Sequence, residues 1–128
     1  MQGKDLFEYA IVRLVPRVER EEFINVGVVL YCRGQRFLQM QFTLDERRCA
    51  ALVGELDINE LLRHLRAFQK ICEGEGSDQN TIAALPPAER FRWLTAKRSA
   101  VIQTSPVHPG FCSDAAAMLE QLHAKLVL

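Results

Sequence analysis

Residues 9–32 read YAIVRLVPRVEREEFINVGVVLYC, and this stretch decides the fold. Two apolar runs, Tyr9 to Val15 and Phe23 to Cys32, flank a charged segment that opens at Pro16. Aromatic and β-branched runs separated by a short polar stretch predict an antiparallel hairpin. Arg13 breaks the first run; Asn25 and Gly27 break the second. Such residues cost stability within a strand unless something local uses them. Pairing Val15 with Phe23 across the seven residues Pro16 to Glu22 sets Arg13 opposite Asn25 and Ile11 opposite Gly27. Tyr9 then lies diagonal to the glycine, where its ring can cover exposed backbone. In this register Arg13 and Asn25 share one sheet face near the loop, with Glu22 at its rim. A slip of one residue would send the two to opposite faces. A guanidinium, an amide and a carboxylate gathered there make a binding site for an anion or a polar partner. The structural alternative pairs Arg13 with Glu22 to fix the loop, lets Asn25 satisfy backbone groups, and uses Gly27 to admit a packed helix.

Outward from the hairpin, Arg33 and Gly34 form a turn, and Arg36 to Phe42 alternates Gln39 and Gln41 against Leu38, Met40 and Phe42 as a third strand. Leu44 to Val53 reads as a short helix that Gly54 stops. Asp57 caps a longer helix, with Glu60 three residues on and an apolar stripe of Ile58, Leu61, Leu62, Leu65, Phe68 and Cys72. Gly74 to Asn80 is a polar loop. Pro86 and Pro87 open a helix to about Ala96, since a first turn tolerates proline. Ser99 to Gln103 is a short strand, and Thr104 to Phe111, with Pro106, Pro109 and Gly110, is a rigid loop. Ser113 caps a last helix that turns Met118, Leu119, Leu122 and Leu126 inward. The expectation is one α+β domain over residues 1–128. Its sheet is mainly antiparallel, a three-strand meander plus one later strand, with helices packed on one face.

Composition narrows the function classes. A chain of 128 residues buries roughly two-thirds of its unfolded surface, enough for a core without staples. Sixteen basic residues balance sixteen acidic ones, which gives no support for long-range attraction to nucleic acid or an anionic membrane. Cys32, Cys49, Cys72 and Cys112 stand far apart in apolar surroundings, the pattern of free thiols in a reducing compartment and not of zinc ligands. The first nine residues lack an apolar h-region, so no signal peptide is expected, and a cytoplasmic protein without metal or cofactor follows.

A second region, Arg90 to His108, interleaves Arg90, Arg92, Lys97 and Arg98 with Phe91 and Trp93. That mixture serves nucleic-acid contact in some proteins. An amphipathic helix with Phe91, Trp93 and Leu94 inside accounts for it more simply. The turn SPVHPG, residues 105–110, leads into the last helix. Arg98, Ser105 and His108 there can hold a phosphate or carboxylate, and a histidine titrates near neutrality. Cys112, next to that helix, is a candidate lowered-pKa thiol, though no motif supports it.

These segments, YAIVRLVP, REEFINVGVVL, FRWL, RS and SPVHPG, resemble the domain of unknown function 3037 family of uncharacterised bacterial proteins. The family's pattern falls on Tyr9, Arg13, Pro16, Glu22, Asn25, Gly27, Trp93, Arg98, Ser99, Ser105 and His108. The resemblance implies a bacterial or phage origin and a HipA-like kinase-fold protein as partner; it supplies no activity. The first-ranked function is a non-catalytic interaction or accessory module, with a homo-oligomer left open. The alternative is a small enzyme or ligand binder for a phosphate-bearing substrate. There Arg13, Asn25, Arg98 and Ser105 bind, and Glu22 and His108 handle protons. That alternative needs Arg13 and His108 in one cleft. A nucleic-acid-processing domain ranks last, because strand carboxylates are sparse.

Overall fold

The structure, a computed structural model, describes residues 4–53, 57–75, 81–98 and 100–128. Gly54, most of the polar loop after Gly74, Ser99 and the first three residues lie outside the described residues. The strands are β1 (Asp5–Leu14), β2 (Ile24–Cys32), β3 (Phe37–Phe42), β4 (Ile102–Thr104) and β5 (His108–Cys112). The helices are α1 (Glu46–Val53), α2 (Ile58–Glu73), α3 (Pro87–Leu94) and α4 (Ala115–Leu126). All strand pairs are antiparallel, in the order β3-β2-β1-β4, with β5 also paired to β1. The protein is therefore α+β, and its first three strands are the expected meander.

The later part of the sheet is larger than the single strand expected. β4 and β5 both line the outer side of β1, one behind the other, and β5 takes up the second half of the segment read as a rigid loop. An edge strand tolerates a proline such as Pro109, and Gly110 lets the Phe7 ring lie on the strand. A Cβ at Gly110 would come within 2.5 Å of Phe7 Cζ. The aromatic cover of a glycine thus occurs here, and not between Tyr9 and Gly27.

Between the pairs Tyr9–His108 and Val12–Thr104, two residues of β1 face three, Ser105 to Val107. This bulge would leave a β1 amide without a ladder acceptor. Ser105 supplies it: the Ile11 N–H donates to Ser105 Oγ (2.8 Å), the Ser105 N–H donates to the Ile11 carbonyl (2.8 Å), and the hydroxyl donates to the Pro106 carbonyl (2.9 Å). Ser105 is 2% exposed.

On the opposite side of β1, the register places Arg13 against Asn25 as expected. A second bulge, at Val26, then shifts the ladder, so Gly27 meets Val12 and Ile11 meets Val28. Gly27 answers the close approach of β3, not of a helix: a Cβ there would lie 2.9 Å from Phe42 Cβ and 3.0 Å from the Gln41 carbonyl oxygen.

Helices cover both faces of the sheet, not one. Ala10, Val12, Leu14, Val29, Leu38 and Met40 pack against Leu61, Leu65 and Phe68 of α2 and Phe91 and Leu94 of α3. The alternate residues Phe7, Val28, Leu30 and Cys32 pack against Ala115 and Leu119 of α4. The cause is β2, whose run is apolar on both faces, as in strands buried on each side. Asp57 caps α2 by accepting from the Asn59 and Glu60 amides, as read. Asp114, not Ser113, caps α4 by accepting from the Ala117 amide. Gln35, in the β2–β3 turn, accepts from the Ala115 amide (2.8 Å) and donates to Asp5 and to the Ser113 carbonyl (both 3.1 Å). It ties the start of α4 to the sheet.

Replacing Ser105 with alanine strands a buried amide, so Ser105→Ala should lower unfolding free energy by about 1–3 kcal/mol in urea titrations. Ser105→Thr, which keeps the hydroxyl, should lose clearly less, and equal losses would contradict the bridging role.

Candidate functional site

The loop end of the β1–β2 hairpin holds a cleft of about 610 Å³, lined by Arg13, Val15, Val18, Glu21, Phe23, Lys97, Arg98 and Gln103. β1 and β4 bring Arg13 and Gln103 side by side, since the two residues pair directly. The Arg13 guanidinium carbon stands 4.1 Å from the centroid of the Phe23 ring. Its Nε is buried and has no hydrogen-bond partner. Arg98 comes from the segment after α3, with its guanidinium carbon 4.5 Å from the Trp93 ring centroid. It donates to the Trp93 and Ala96 carbonyls. Each guanidinium is thus set against an aromatic face, and Lys97 adds a third cation beside them. Glu21 is the one acid in this lining. Its backbone is left-handed (φ 57°), where it closes the 3-10 turn Val18–Arg20 by donating its N–H to the Val18 carbonyl. In a chain of zero net charge, three cations around one carboxylate make a locally positive surface, suited to hydrogen-bonding a phosphate or carboxylate.

The other residues singled out in the sequence lie elsewhere. Glu22 is exposed and pairs with Arg20, so Arg13 does not take it as partner. Asn25 sits opposite Arg13, but its amide nitrogen donates to the Leu126 carbonyl (3.2 Å) at the end of α4, and its Oδ1 is buried without a hydrogen-bond partner. Ser105 is held in the sheet ladder. His108 is exposed, pairs with Tyr9 and lies 5.4 Å from that ring, centroid to centroid. Tyr9 precedes Arg13 by four residues, about 13 Å along a strand, and His108 does not line the Arg13 cleft. The structure therefore brings Arg13 and Arg98 together and leaves Glu22, Asn25, Ser105 and His108 outside.

The basic helix α3 follows the amphipathic reading: Phe91 and Leu94 are buried, and Arg90 donates to the Leu85 carbonyl (2.7 Å). Cys112 follows the reading of a buried free thiol and not that of a lowered-pKa one. Burial, then the neighbouring Cys32 and the charges of Asp5 and Asp114, push its thiol up, away from nucleophilic reactivity. Cys72 is pushed up to about 12, mainly by burial. All four cysteines are free and buried. Among the described residues, no three His, Cys, Asp or Glu side chains gather to hold a metal ion, and no helix is long and apolar enough to cross a membrane.

Sequence reasoning missed Phe23, Glu21 and Gln103 as lining residues, although the expected register already set Phe23 on the Arg13 face. It also missed His123, which is 5% exposed on α4. Its Nε2 lies 2.9 Å from Thr43 Oγ1 and its Nδ1 lies 3.3 Å from Gln41 Nε2. An amide donor at Nδ1 leaves the proton on Nε2, the neutral ring. The spacing Leu119, His123, Val127, one residue per helical turn on a buried stripe, carries this signal.

The fold and the cleft together define an α+β protein with an open antiparallel sheet and a cation-lined cleft at one end of it. Residues 9–127 match the family described as "Protein of unknown function (DUF3037)", and the chain belongs to that family. No curated protein and no solved structure matches it.

Burial lowers the His123 pKa from its ordinary 6.5. Below pH 6.5 the unfolded chain therefore binds a proton that the folded chain resists, and stability falls as pH drops through this window. In urea titrations between pH 7.5 and 5.5, His123→Gln should show a shallower loss than wild type. An equally steep loss would contradict the role of this histidine.

Proposed function

We propose that the protein is a non-catalytic binding module whose working surface is the Arg13–Lys97–Arg98 cleft, where it takes an anionic group. One observation carries this reading: two arginines, each laid on an aromatic ring, line a single cleft. Stacking restrains both side chains, so less rotamer freedom is lost when an anion engages them. Exposed Phe23 and Val18 give the same cleft an apolar rim. The proton-handling residues of the enzymatic alternative, Glu22 and His108, do not share the cleft with Arg13. The balanced net charge weighs against a nucleic-acid-processing role.

Residues 1–128 act as one α+β domain in this reading, within a cytoplasmic bacterial protein. The family resemblance adds a protein partner of the HipA-like kinase-fold type, so the module serves as an accessory to it. Titration with inorganic phosphate by calorimetry at low salt tests the cleft. Lys97→Gln and Arg98→Gln should each weaken binding about tenfold, since hydrogen bonds to charged groups contribute roughly 1.5–3 kcal/mol. Raising salt should weaken wild-type binding as well. Undiminished binding by both variants would overturn the assignment of the cleft.

A further inference from the structure

The cleft offers more than positive charge, and we infer that it takes a nucleoside monophosphate, an inference that rests on the anion-binding reading above. Its volume, about 610 Å³, falls in the range of about 300–1,000 Å³ typical of small-molecule pockets, and a lone phosphate leaves most of it empty. Three kinds of lining group match three parts of one ligand. Arg13, Lys97 and Arg98 present cations for a phosphate ester. Phe23 is 46% exposed, with the Arg13 guanidinium over one face of its ring at 4.1 Å. It offers a flat platform on which a base can stack, next to the cation that holds the phosphate. Glu21 and Gln103 supply a carboxylate and an amide.

The carboxylate matters most for choosing the ligand. It opposes a second or third phosphate brought into the cleft, so it disfavours a polyphosphate or a nucleic-acid strand. It readily accepts hydrogen bonds from the hydroxyls of a sugar, the role an acidic residue plays in dinucleotide folds.

Calorimetry on the full chain with AMP, adenosine, ribose 5-phosphate and inorganic phosphate tests the inference. AMP should bind at least about tenfold tighter than any of the other three, because base stacking and phosphate contacts act together. Phe23→Ala should weaken AMP about tenfold and inorganic phosphate clearly less, since phosphate loses only the restraint on Arg13, whereas Phe23→Trp should retain AMP affinity. Lys97→Gln should weaken both AMP and phosphate. AMP binding no tighter than phosphate, with the cations still required, would overturn the nucleotide inference and leave the anion site standing. A phosphoserine peptide binding more tightly than AMP would overturn it in favour of a protein ligand. If neither AMP nor phosphate binds, the anion-binding reading itself falls.

Discussion

The structure depends on how β1 keeps its place between two irregular neighbours. On one side Val26 adds a residue to β2; on the other, Ser105 to Val107 add one to the β4–β5 edge. Both bulges fall beside residues 10–13 of β1. A bulge bends and twists a strand locally, and an unsupported one leaves a ladder group without a partner. The Ser105 hydroxyl removes that cost by standing in for a carbonyl toward the Ile11 amide. The outer edge can then run the length of β1 in two registers, with β5 feeding directly into α4.

This arrangement has consequences at both ends of the strand. Toward the N-terminal end, β5 delivers Cys112 and Ala115 to the face where Phe7, Leu30 and Cys32 need cover, and Gln35 and Asp114 accept from the Ala115 and Ala117 amides at the start of α4. Toward the C-terminal end, β4 sets Gln103 beside Arg13 and draws the 97–98 segment over the hairpin. Arg13 is flanked by Asn25 and Gln103 on the two neighbouring strands. Phe23 and Trp93 each lie under one of the two guanidiniums, at 4.1 and 4.5 Å, and the proposed anion site rests on that placement.

Much of this was legible in the chain, and the parts that were not share a physical reason. The Arg13–Asn25 pairing follows from supposing one register, Val15 with Phe23, and the structure has that pairing. The Asp57 cap and the buried Phe91 and Leu94 follow from local spacing. The second helical face was also written in the sequence, in the two-sided apolar run of β2, but assigning helices to one face overlooked it. Ser105 was legible only as a polar residue in a stiff turn, because its role depends on an amide that lies 94 residues away. β5 was hidden by its proline and glycine, which ordinarily mark loops and are tolerated only because the strand is an edge. Among the site residues, Arg13 and Arg98 converge. Asn25 does not join them, because a helix-end carbonyl, which no local pattern announces, draws its amide away.

The most direct test of the account is hydrogen exchange at the Ile11 amide, compared between the wild-type chain and a variant lacking the Ser105 hydroxyl. The account predicts that in wild type this amide is protected as strongly as its β1 neighbours, and that in the variant its protection falls selectively while Val12 and Leu14 change less. If Ile11 exchanges at loop-like rates in the wild type, the serine does not carry the ladder across the bulge, and the register that presents Arg13 to the cleft loses its support.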